Sequence, residues 1–133
     1  MFGISIGHKD SDNLFRRNRV RLNAQNGVFF RNETLGMAAH RNRLEENVIE
    51  DNGAKGPGYP RSGSAGIRIR GETNGLVFKG NVIRDTRLEA SRTQSVGILI
   101  EERVGDVTLE GNTIEAKRAI DDRRPAKQAA AQK

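Results

Sequence analysis

Four stretches of this chain open with glycine and reach an asparagine at a nearly fixed distance. No other feature constrains the fold as much. Gly3 to Asn18, Gly66 to Asn81 and Gly97 to Asn112 each span 15 positions, and Gly27 to Asn47 carries five more. The asparagines therefore recur at steps of 29, 34 and 31 residues. After each glycine stands an alternating apolar pair: Ile4 and Ile6, Val28 and Phe30, Ile67 and Ile69, Ile98 and Ile100. Period-two alternation sends such pairs to one face of a strand. A second strand signal surrounds the asparagine. Phe15, Leu44, Phe78 and Leu109 lie three residues before it, and Val20, Ile49, Ile83 and Ile114 two after. Units this short cannot bury an apolar face alone, but stacked copies can, each strand pairing with its counterpart one turn away.

The column Asn18, Asn47, Asn81 and Asn112 is expected to be structural. Asparagine tolerates the left-handed backbone of a sharp bend, and inward amides of adjacent turns can bond in a ladder. Gly80 and Gly111, just before two of these residues, suit the same bend. A β-sandwich of similar strand density would leave the fixed spacing unexplained.

The segments GISIGHKDSDNLFRRNRV, GIRIRGETNGLVFKGNVI and GILIEERVGDVTLEGNTI, with the GVFFRNET and LEENVI pieces, resemble the right-handed parallel β-helix repeat of the pectate-lyase-like superfamily. The resemblance implies an all-β solenoid of about four coils over residues 1–116. Loop insertions are expected at about 51–65, which holds two of the three prolines, and at 85–96. Residues 117–133 show no apolar periodicity and read as a flexible basic tail. Only Met1 and Phe2 precede the first repeat. A bare solenoid end exposes a sheet edge and core, so the chain is expected to be the C-terminal fragment of a longer β-helix, or to associate end to end.

GISIG at Gly3 and QNGVFFR at Gln25 to Arg31 are similar to the polygalacturonase-like glycosidases in register. Those enzymes' Asp-bearing and Gly-His-Gly motifs would fall before residue 3. Their Arg-Ile-Lys motif would fall on Phe29, Phe30 and Arg31, of which the last alone is basic. Hydrolysis of a glycosidic bond needs two carboxylates at a defined separation, and no such pair can be named. The glycosidase activity is not carried over.

Composition narrows the chemistry further. With no cysteine there is no disulfide, thiolate metal site or cysteine nucleophile. Phosphate loops, dinucleotide fingerprints and metalloprotease histidine pairs are absent. No apolar run approaches the roughly 18 residues of a membrane helix, so no membrane partner is expected. The sequence shows no signal peptide, and a full-length parent is expected to be secreted or at the cell surface. The net charge of +6 comes from arginine, which supplies 17 of the 23 basic residues. Such a balance attracts polyanions. Nucleic-acid binding would rest on this count and the tail alone, with no helix to enter a groove, and is set aside.

Aligning the units on glycine places Ser5, Phe29, Arg68 and Leu99 in one outward column and Gly7, Arg31, Arg70 and Glu101 in the next. Phe29, Arg31, Arg68 and Arg70 are therefore the candidate substrate-binding residues. Arginine forks suit carboxylates, and a phenylalanine ring can stack on a sugar. The competing expectation is a solvated face in which Arg70 pairs with Glu101. Beyond the strand, Lys9, Glu33, Glu72 and Arg103 align as a possible salt-bridge ladder. Proton abstraction from a sugar acid needs a base beside a cation, for which His8, Lys9, Asp10, Arg31 and Glu33 are weak catalytic candidates. No metal site or cofactor is assigned. Asp10 and Asp12 offer oxygens suited to calcium, but the stretch KDSDN falls short of a site. Three functions follow as expectations: an acidic-polysaccharide-binding module of a carbohydrate-active protein, a purely structural or adhesion solenoid, and a polysaccharide lyase or epimerase.

Overall fold

The computed structural model describes residues 2–59 and 64–125. Coil one contributes β1 (Ile4–Ile6), β2 (Leu14–Arg16) and β3 (Arg19–Arg21). Coil two contributes β4 (Val28–Phe30), β5 (Arg43–Glu45) and β6 (Val48–Glu50). Coil three contributes β7 (Ala65–Ile69), β8 (Leu76–Lys79) and β9 (Val82–Arg84). Coil four contributes β10 (Val96–Ile100), β11 (Val107–Glu110) and β12 (Thr113–Glu115), and β13 (Arg118–Asp122) opens a fifth turn. Strands pair only with the equivalent strand of the neighbouring coil, always in parallel. The result is three sheets along one axis: β1-β4-β7-β10-β13, β2-β5-β8-β11 and β3-β6-β9-β12. This is the parallel β-helix expected from the repeat.

The inward rows fill the interior. Phe30, Ile67, Ile69, Ile98 and Ile100 from the first sheet meet Leu44 and Phe78 from the second and Ile49 and Ile83 from the third, all essentially inaccessible to water. The Phe30 and Phe78 rings tilt against each other at 6.1 Å. The opening glycine has a steric cause. A Cβ at Gly3, Gly27, Gly66 or Gly97 would sit 2.4, 2.7, 2.6 or 2.3 Å from Val20, Ile49, Ile83 or Ile114. In each coil, therefore, the central residue of the third-sheet strand packs against the bare backbone that opened the coil. The Gly-to-Asn spacing records this closure.

Asn18, Asn47, Asn81 and Asn112 form the expected ladder. Nδ2 of each donates to Oδ1 of the next at 3.1, 3.0 and 2.9 Å, and the backbone N–H does the same at 2.9 Å at every step. The bend itself falls one residue earlier than expected. Arg17, Glu46, Gly80 and Gly111 carry the positive φ, between 54° and 66°, and the asparagines do not. The left-handed residue turns the chain, which frees the following amide to point inward. What reads in sequence as one second strand is thus two, with a corner between them. The same device recurs at the other two corners, which sequence reasoning missed. Asp12 and Arg41 precede Asn13 and Asn42, and Leu22 and Asp51 precede Asn23 and Asn52, all four in the left-handed region. Asn42 accepts from Asn13 N–H, while Asn23, Asn52 and Gln94 continue as a second amide ladder.

One boundary differs from expectation. The segment from Lys117 begins with a strand, because β13 pairs with β10 in the register Val96↔Arg118, Ile98↔Ile120, Ile100↔Asp122. Only Ile120 continues the apolar alternation, so the local signal was too weak to read. Asp122 takes an apolar column's place, and Arg124 answers it with Nε and Nη2 at 2.9 and 2.7 Å while Nη1 donates to Gly105 O at 2.6 Å. The Arg124 hydrogen bonds hold the Asp122 carboxyl below its usual range despite burial. Residues 60–63 of the first insertion and 126–133 of the expected tail lie outside the described residues. The polar insertion at 85–96 is anchored. Asp85 accepts from Arg87 Nε and Nη2 and from the Thr93 and Gln94 N–H groups, and Asp51 accepts from Thr86.

Candidate functional site

The outward rows of the three sheets carry different charge patterns. On the second sheet Arg16, Glu45, Lys79 and Glu110 stand in register, alternating in sign. On the third, Arg21, Glu50, Arg84 and Glu115 do the same. Glu50 is buried among Arg19, Arg21 and Arg84. Burial pushes its carboxyl up, but hydrogen bonds from Arg19 and Arg84 outweigh that and hold it below the usual range. These faces are close to neutral along the axis.

The first sheet breaks the alternation. Its two outward rows are Ser5, Phe29, Arg68, Leu99, Asp121 and Gly7, Arg31, Arg70, Glu101, Arg123. Arg31 and Arg70 are adjacent like charges, with Arg68 beside them. A groove of about 730 Å³ runs over this face and is lined by residues of every rung from Phe2 to Arg123. Its charged lining comprises Arg68, Arg70, Lys117, Arg118 and Arg123 against Asp121 alone. The apolar lining comprises Phe2, Phe29, Ala65, Val96 and Leu99.

Three of the four candidate binding residues meet here. Arg68 Nε donates to Glu101 Oε2 at 2.8 Å, and Arg70 Nε lies 3.0 Å from the same oxygen without hydrogen-bond alignment. The pairing expected for a merely solvated face is therefore present, and Arg68 shares it. Phe29 lies in the lining, but Phe2 stacks on it with centroids 4.1 Å apart and planes 5° from parallel. One face of the Phe29 ring is covered, and the aromatic platform is a pair. Arg31 does not line the groove. Its aliphatic chain lies over Gly7, where a Cβ would meet it at 2.4 Å, and its Nη2 is 3.4 Å from Glu33 Oε2. Lys117, Arg118 and Arg123 were missed because they lie in the segment read as tail. Ile120, in step with Ile98, was the signal available.

The weak catalytic candidates do not converge. Arg31 and Glu33 come together, but the extra residues of coil two form a turn at 35–37 that separates Glu33 from coil one. Lys9 N–H donates to Met37 O, whereas Glu33 O accepts from Glu72 N–H. The supposed ladder of Lys9, Glu33, Glu72 and Arg103 does not form among the described residues: Glu72 takes Leu35 N–H, and Arg103 reaches Asn32. His8 is exposed at a left-handed turn position. Asp10 accepts Gly7 N–H, and Asp12 binds Arg41 at 2.7 and 2.9 Å. The Arg41 hydrogen bonds hold the Asp12 carboxyl below its usual range. His40 instead links two coils, its Nδ1 accepting Asn74 N–H at 3.1 Å and its Nε2 2.6 Å from Leu35 O.

Three parallel sheets with inward amide ladders define a β-helical solenoid. Residues 1–114 match the family described as the right handed beta helix region, and the chain belongs to that family. No curated protein and no solved structure matches it.

Proposed function

We propose that the groove on the first sheet binds an acidic polysaccharide, as a module of a carbohydrate-active protein of pectate-lyase-like kind. The observation that carries this reading is the concentration of five cations against one anion in a groove with an aromatic and aliphatic floor, while the other two faces alternate in sign. A sugar acid has the matching chemistry: a carboxylate for the guanidinium forks and an apolar C–H face for the Phe2 and Phe29 pair.

Isothermal titration with a galacturonate oligomer, beside a neutral glucose oligomer of equal length, tests it. Binding of the acidic oligomer alone, weakening as salt rises, is expected. Arg68→Ala and Arg118→Ala should each reduce affinity by about 1.5–3 kcal/mol, the range for a hydrogen bond to a charged group. Absence of binding across acidic oligosaccharides at low salt would leave the structural solenoid. That second reading is favoured by the pairs already in place: Glu101 lies against Arg68 and Arg70, and Asp121 engages Arg123 through both Nε and Nη2. A lyase or epimerase activity would draw on Arg31 and Glu33 at 3.4 Å, and release of ultraviolet-absorbing unsaturated sugars would reveal the lyase.

A further inference from the structure

Resting on the polysaccharide-binding reading, we infer that Glu101 is a positioning residue: it orients Arg68 and Arg70 for the ligand instead of masking their charge. Glu101 lies one rung beyond both arginines, and its side chain is only 16% exposed. It is not among the groove-lining residues, whereas Arg68 and Arg70 are. Its Oε2 accepts a hydrogen bond from Arg68 Nε at 2.8 Å and lies 3.0 Å from Arg70 Nε, a charge contact without hydrogen-bond alignment. The Nη groups of Arg68 and Arg70 donate no hydrogen bond to any described residue. Contact at Nε alone leaves the two Nη groups of each fork for a bidentate partner.

The contrast within the same groove is Arg123, where Asp121 takes both Nε and Nη2. A carboxylate in that arrangement consumes the fork, whereas Glu101 takes Arg68 at Nε and leaves its Nη pair. A flexible arginine must be immobilised on binding, and fixing two of them beforehand removes part of that cost.

Glu101→Gln and Glu101→Asp are compared with wild type by titration with a galacturonate oligomer and, separately, with inorganic sulfate, alongside thermal melts. Glu101→Gln is expected to weaken oligomer binding about fivefold. Sulfate binding should be unchanged or stronger, because a small anion does not depend on two aligned forks. The melting temperature should stay put, and Glu101→Asp should recover part of the loss. If the glutamine variant binds the oligomer as tightly as wild type or more tightly, Glu101 masks the arginines and the inference fails alone. If both ligands weaken together with the melting temperature, its role is only structural, which also overturns the inference. If wild type binds no acidic oligomer, the polysaccharide reading fails and this inference with it.

Discussion

Replacing Asn81 with alanine removes the centre of the amide ladder. Asn81 is fully buried. Its Oδ1 accepts Asn47 N–H at 2.9 Å and Asn47 Nδ2 at 3.0 Å. Its Nδ2 donates to Leu44 O at 2.8 Å and to Asn112 Oδ1 at 2.9 Å. Truncation ends four hydrogen bonds and leaves the Asn47 backbone N–H, inside the stack, without an acceptor. An orphaned buried group costs about 1–3 kcal/mol, and each remaining bond about 0.5–1.5 kcal/mol, so the expected loss is about 4 kcal/mol. Against a typical stability of 5–15 kcal/mol, that is a large fraction. Asn112 ends the same ladder but is half-buried, so water can replace its partners, and Asn112→Ala should cost about half as much. Urea unfolding followed by far-ultraviolet circular dichroism measures both. A loss under about 1 kcal/mol for Asn81→Ala, or equal losses for the two variants, would refute the claim that buried amides close the coils.

The remaining predictions follow from local geometry. Gly66→Ala places a Cβ 2.6 Å from Ile83 Cγ2 and 3.0 Å from Gly97 O, and should destabilise by about 1–3 kcal/mol, whereas Gly36→Ala meets nothing within 4 Å and should change the melting temperature little. Asp85 gives the pH dependence. Burial pushes its carboxyl up, but hydrogen bonds from the Arg87 side chain and from the Gln94, Arg87 and Thr93 N–H groups prevail and hold it well below the ordinary range. A depressed folded-state pKa contributes stability that is present above the unfolded value of about 3.9 and is lost as pH falls below it. Asp85→Asn should therefore cost about 3 kcal/mol at neutral pH, with the difference from wild type shrinking in acid. A pH-independent difference in unfolding free energy would count against this.

Much of the winding was legible in the residues. The apolar pairs at Ile4 and Ile6 through Ile98 and Ile100, the opening glycines and the four asparagines state the coil period directly. A further signal was present and went unused: Asn13, Asn18 and Asn23, then Asn42, Asn47 and Asn52, recur every five residues, one at each corner. That spacing announces three strands per coil where alternation alone indicated two. The left-handed corner positions were not legible, because Arg17, Glu46, Leu22 and Arg41 are not residues that favour positive φ. Stacking imposes that conformation on them.

The sequence by itself determined the coil and the inward rows, because glycine closure, period-two alternation and corner amides are each encoded within some twenty neighbouring residues. Only the tertiary structure decided which outward side chains share a face. Parallel pairing joins residues about 30 positions apart, and an insertion such as the turn at 35–37 shifts that correspondence for Lys9 without leaving a local mark. For the same reason the basic end of the groove was marked in sequence by Ile120 alone: Arg118, Ile120 and Asp122 form a strand because β10 offers them an edge to pair with.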